Sequence, residues 1–181
     1  MRHFSPSFRL WHWLNAIALF GIFITVVLRE SVMHKANIGA IVQTKMAELG
    51  TIITEEQAVM IGKAVRSPMW DWHIYLGIAV AVLLVWRLGM VLKNGFGFDD
   101  NPAMQKVYRL YQAVYGVMAI MSLSGLALYY KIAGGAKENV ETLHLVLGWA
   151  IFAFIALHII GVVLAEKKDQ RGIVSRMISG K

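Results

Sequence analysis

Six histidines carry the widest chemical range in this chain. Four of them, His12, His73, His144 and His158, lie within or at the start of long apolar runs, whereas His3 and His34 lie in polar flanks. An imidazole can ligate a metal, carry a proton or hydrogen-bond a neighbouring helix. For one histidine in an apolar run, function and packing are about even; four together favour function, because ionisable groups are costly there. Cysteine is absent, which excludes disulfides, iron–sulfur clusters, thiolate metal sites and covalently attached c-type haem.

The spacing of the last two histidines is informative: 158 − 144 = 14 residues. On one helix they differ by roughly 40° around the axis and stand about 21 Å apart along it. They share a face but not a site, so each must pair with a different partner at a different depth. If the apolar runs alternate in direction, His73, at the start of the second, lies at the depth of His144. His12, near the start of the first, reaches the depth of His158. Two pairs are expected, His73 with His144 near the outer face and His12 with His158 near the inner face. A trans pair of neutral imidazoles suits a planar haem and closes its iron to added ligands, whereas zinc would want a third or fourth protein ligand.

The elements that must position these residues are four apolar segments, at about 10–28, 73–92, 107–130 and 143–165. Each is long enough to cross a bilayer. The 181-residue chain is 57% hydrophobic and only 16% charged, so it reads as a single all-α membrane domain over 1–181, a bundle of four transmembrane helices. Arg29 and Glu30 follow the first run in place of a small-residue cleavage site, so it reads as a retained span. The net charge of +7 sits mainly beside apolar runs, which argues for juxtamembrane charge and against nucleic acid. Eleven basic residues flank one side (the N-terminus, the 93–106 connection with Arg87 and Arg109, and the C-terminus) and seven the other. Five of those seven are diluted among acidic residues in a long connection, so both termini are expected in the cytoplasm.

That connection, about 30–71, is expected to be a short amphipathic helical insert. Ile38, Ile41, Val42 and Leu49 recur at helical spacing, and Thr54-Glu55-Glu56-Gln57 reads as a capping box before a second helix that Pro68 ends. Asp99-Asp100-Asn101-Pro102 opens the third span and Gly134-Gly135 closes it. Trp11, Trp13, Trp70 and Trp72 are accounted for as interfacial anchors. Gly21, Gly77, Gly116, Gly125, Gly148 and Gly161 would let a ring, or another helix, approach backbone. Candidate partners for haem propionates are Arg66, Ser67, Lys131 and Lys137 outside and Arg9, Arg87, Lys106 and Arg109 inside, with Arg9 and Arg66 preferred. Tyr108, Tyr111 and Tyr115 form an aromatic stripe that reads as packing ahead of a quinone pocket. The ten methionines share no depth or motif and read as core filler.

Arg9-Leu10-Trp11-His12-Trp13-Leu14-Asn15, Trp70-Asp71-Trp72-His73-Ile74-Tyr75-Leu76-Gly77, and His144 with Leu147-Gly148-Trp149 and His158 together resemble the bacterial cytochrome b561 and hydrogenase-type cytochrome b superfamily over nearly the whole chain. The resemblance implies two haem b groups, an inner-membrane location, and a quinone or quinol with a redox partner. The chain would then act as an electron-transfer protein, alone, as a homo-oligomer, or as the membrane subunit of a quinone-linked dehydrogenase, with a periplasmic protein docking on the long connection. The rival is a metal-ion transporter using His and Met. None of the four spans holds Asp or Glu, the usual coupling groups of such transporters; Asp71, Glu141 and Glu166 fall just outside them.

Overall fold

A computed structural model describes residues 4–95, 102–168 and 170–180. Arg2, His3, Asp99, Asp100, Asn101 and Lys181 lie outside the described residues. The elements are helical throughout: α1 (Pro6–Glu30), α2 (Lys35–Glu48), α3 (Glu55–Val65), α4 (Ser67–Asn94), α5 (Pro102–Tyr129), α6 (Lys137–Lys167) and α7 (Ile173–Ser179), with a 3-10 turn at Gly134–Ala136. Four of them, α1, α4, α5 and α6, are long and apolar enough to cross a membrane. Large apolar side chains such as Ile17, Phe20, Val82, Val85, Leu123 and Leu157 point outward along all four. The protein is therefore an all-α membrane protein whose spans are solvated by lipid.

The spans begin and end where local chemistry dictates. α1 starts earlier than its apolar run because Ser5 accepts from the Phe8 N–H (3.3 Å) and Pro6 occupies the first turn. The capping box of α3 is present: Gln57 N–H donates to Thr54 Oγ1 (3.2 Å) and Thr54 N–H to Gln57 Oε1 (2.9 Å). Pro68 does not end α3, which stops at Val65. It sits in the first turn of α4, where its missing N–H costs nothing, so Trp70, Asp71 and Trp72 belong to helix α4 and not to the connection. α5 ends short of Gly134 and Gly135. Lys131 takes a positive φ of 57°, the Ile132 N–H reaches back to Ala127 O (2.9 Å) and the Lys131 N–H to Leu128 O (3.2 Å), a Schellman-type stop built without glycine.

The chain divides into two compact units, Ile17–Gly77 in one, and Met1–Ala16 with Ile78–Lys181 in the other. In the first, α2 and α3 pack as a hairpin through small residues. A Cβ on Gly62 would stand 2.6 Å from Lys35 O, and one on Gly39 3.2 Å from the Ala58 carbonyl carbon. Gly21 makes room for Leu76 in the same unit, so this glycine serves helix packing.

In the second unit α5 packs along α6, and Trp11 joins α1 to α4 by donating its indole N–H to Leu83 O at 2.7 Å. Trp11 is only 4% exposed, which corrects its reading as an interfacial anchor: the indole is spent on a neighbouring helix. Exposed Trp72 keeps the anchor environment. α7, not foreseen from sequence, lies across the start of α1. Trp13 Nε1 donates to Met177 O (3.2 Å) and Arg9 Nη1 to Ile178 O (3.3 Å), while the Glu166 carboxylate accepts from the Gly172 and Val174 N–H groups at the head of α7. The start of α1 and the end of α7 thus lie side by side.

Candidate functional site

Thr25 and Ser124 are the buried polar side chains among the described residues, and each holds a histidine. Thr25 Oγ1 lies 2.9 Å from His73 Nδ1 within the first unit. Its hydroxyl proton is already committed to Ile22 O at 2.6 Å, so toward His73 the oxygen can only accept. The same logic holds in the second unit. Ser124 Oγ donates to Met121 O (2.9 Å) and lies 3.0 Å from His144 Nδ1, which also approaches the Met121 carbonyl at 3.2 Å. A carbonyl cannot donate. Both histidines therefore carry their proton on Nδ1 and their lone pair on Nε2, the state in which an imidazole binds a metal while its other nitrogen is fixed by a neighbour.

Glycines share the helix faces of both rings. Gly77 follows His73 by one turn and Gly148 follows His144 by one turn, on the same helix faces. A Cβ at Gly77 would meet nothing within 4 Å, and at Gly148 only the Met121 methyl at 3.8 Å. Gly125 on α5 works differently: a Cβ there would stand 3.0 Å from His144 Cε1, so this glycine seats the imidazole itself. Gly116 and Gly161 also face open space.

His12 on α1 and His158 on α6 come together in the second unit, ring centres 6.2 Å apart and planes at 60°. Two imidazoles bound trans to one metal through bonds of about 2 Å would have their centres roughly 6–6.5 Å apart. Their surroundings are aromatic: Phe154 stacks on His158 (5.9 Å, 21°), Tyr111 approaches it edge-on, and Phe8 and Trp13 flank His12. Tyr111 OH lies 3.4 Å from His158 Nδ1, a long contact. Tyr115, one turn further, accepts from Arg87 Nε at 3.1 Å. The Arg87 guanidinium is enclosed by the Phe8, Trp11 and Tyr115 rings at 5.0–5.6 Å.

The other sequence candidates are placed as follows. Arg9 donates to the end of α7, as described. Arg66 caps the C-terminus of α3, half-buried, and Ser67 opens α4. Lys131 is the left-handed residue after α5, Lys137 pairs with Glu141 (3.4 Å), and Lys106 and Arg109 are exposed. His34 precedes α2 with no capping bond from its side chain. Among the described residues no group of three or more His, Asp or Glu is gathered for a bare metal ion, so paired histidines are the metal-binding chemistry on offer.

Sequence reasoning missed Thr25, Ser124 and the caging of Arg87. The available signal was a lone hydroxyl in an apolar span, which is common enough to pass unnoticed. No curated protein matches the chain, and no solved structure does. The family model for prokaryotic cytochrome b561 matches residues 3–180, nearly the whole length. With that match over nearly the whole length and four apolar spans, the chain belongs to the prokaryotic cytochrome b561 family, multi-pass b-type haem proteins of bacterial membranes that carry electrons across the bilayer.

Proposed function

We propose that the chain binds two haem b groups, one held by His12 and His158 and the other by His73 and His144, and links a quinone pool to a redox partner on the periplasmic side. The observation that carries this reading is the His12–His158 pair, whose 6.2 Å ring separation would suit two imidazoles holding one iron. Support for the second pair is the Nδ1–H state of His73 and His144 together with their expected common depth.

Haem supplies a one-electron carrier; the chain's own residues supply everything else. His12 with His158, and His73 with His144, would hold the haems as imidazole pairs, which would favour electron transfer over ligand chemistry. Thr25, Ser124 and the Met121 carbonyl hold the proton on Nδ1 and fix ring orientation. Phe8, Phe154 and Tyr111 exclude water around His12 and His158. The fourteen-residue register of α6 sets the separation of the sites at about 21 Å between ligand residues.

On this reading residues 1–181 form one functional domain in the inner membrane with both termini cytoplasmic. The side-by-side start of α1 and end of α7 supports an even number of crossings, and the density of basic residues supports their side. The α2–α3 hairpin is then periplasmic, where a partner would dock. The chain acts alone, as a homo-oligomer or as a dehydrogenase's membrane subunit. The test is a spectrum with a haem assay: dithionite should produce sharp b-type bands at two haems per chain. One haem per chain or fewer refutes the proposal.

A further inference from the structure

Taking the two-haem reading as its basis, we infer that Thr25 and Ser124 are positioning residues that hold the His73/His144 haem at a lower potential than the His12/His158 haem, and that Arg87 raises the latter. The two pairs differ in what their Nδ1 atoms meet. His73 donates to a hydroxyl oxygen at 2.9 Å that is itself polarised by donating to Ile22 O. His144 has two acceptors, at 3.0 and 3.2 Å. Such bonds push electron density onto Nε2, make the imidazole a stronger donor to iron, and favour the oxidised metal.

The other pair lacks this support. The Tyr111 hydroxyl stands 3.4 Å from His158 Nδ1, outside the range of a good hydrogen bond, and His12 is surrounded by rings, with no side-chain hydrogen bond among the described residues.

Charge acts in the same direction. Arg87 is held over Phe8, whose ring is 6.4 Å from that of His12, and no carboxylate pairs with it among the described residues. A cation in a low-dielectric setting favours the reduced, less positive iron. The corresponding cation near His73, Arg29 over Trp70, is paired with Glu30 at 2.7 Å, which offsets its field. Two independent features thus order the potentials alike. One electron passes downhill from the reduced His73/His144 site to the oxidised His12/His158 site, with no bond or proton changing place.

The experiment is a potentiometric titration of the full-length, haem-loaded protein, followed optically. The wild type should titrate in two separated one-electron steps. Thr25→Val keeps the shape and removes the acceptor. It should raise the lower step by the equivalent of about a tenfold change in the reduced-to-oxidised ratio, ~59 mV for one electron, and leave the upper step in place. Ser124→Ala, which keeps the Met121 carbonyl, should raise the same step by less. Thr25→Ser should restore the wild-type value. Arg87→Gln should lower the upper step. Haem content is measured for each variant, and Thr25→Ser keeps the test valid if Thr25→Val loses haem. Two haems per chain with both steps unmoved, or with Thr25→Val shifting the upper step, would overturn this inference alone. One haem per chain in the wild type would overturn the proposed function beneath it.

Discussion

Gly125→Ala tests whether α5 seats the His144 imidazole. The added Cβ would lie 3.0 Å from His144 Cε1 and 3.6 Å from Nδ1, against about 3.5–4.0 Å for an unstrained carbon contact. The ring must retreat by roughly 0.5–1 Å, enough to stretch the 3.0 Å contact with Ser124 and the 3.2 Å contact with Met121 O past hydrogen-bond range. Overpacking of this size costs about 1–3 kcal/mol. Borne by the histidine as a ligand, that weakens haem binding roughly 5- to 150-fold at one of the two sites. Alanine also improves helix propensity by about 1 kcal/mol, so helix content should not fall and haem loss cannot be blamed on unfolding. The assay is haem bound per chain at limiting haem, with Gly89→Ala, whose Cβ meets open space, as the control. A Gly125→Ala protein that binds haem as tightly as the wild type would refute the seating role.

His158→Ala should remove one haem and leave the other, read as a halved haem-to-protein ratio; loss of neither would disprove the pairing. Gly62→Val would drive a side chain into Lys35 O and separate α2 from α3, so amide exchange should rise across 35–65 while the haem spectrum stays unchanged. Thr54→Ala removes one half of the capping box; α3 should open with about 1 kcal/mol less protection, read by the same exchange measurement.

The spans and their histidines were legible because both signals are local: apolar length, and an imidazole where water is scarce. Helix ends were less so. Lys131 stops α5 in a conformation that its residue type does not announce, and Pro68 was equally compatible with an ending or a beginning. Thr25 and Ser124 stayed hidden because their role depends on which helix faces bring a hydroxyl within 3 Å of a ring, a matter of interhelical register. Trp11 misled for the same reason, since an indole near a span end is equally suited to lipid and to a carbonyl on the next helix. Nothing in the local sequence of Arg9 announces the seven-residue helix whose Ile178 carbonyl, 169 positions away, accepts from its guanidinium.

That last contact also fixes an order of assembly. Trp13 and Arg9 emerge early in synthesis, whereas the carbonyls of Met177 and Ile178 follow 164 and 169 residues later. Closing so long a loop is an entropic step that local helix formation cannot replace. The first span must therefore wait in the bilayer with these two donors unmet by α7 until that helix has been made, and a chain that stops before Met177 would never complete that clasp.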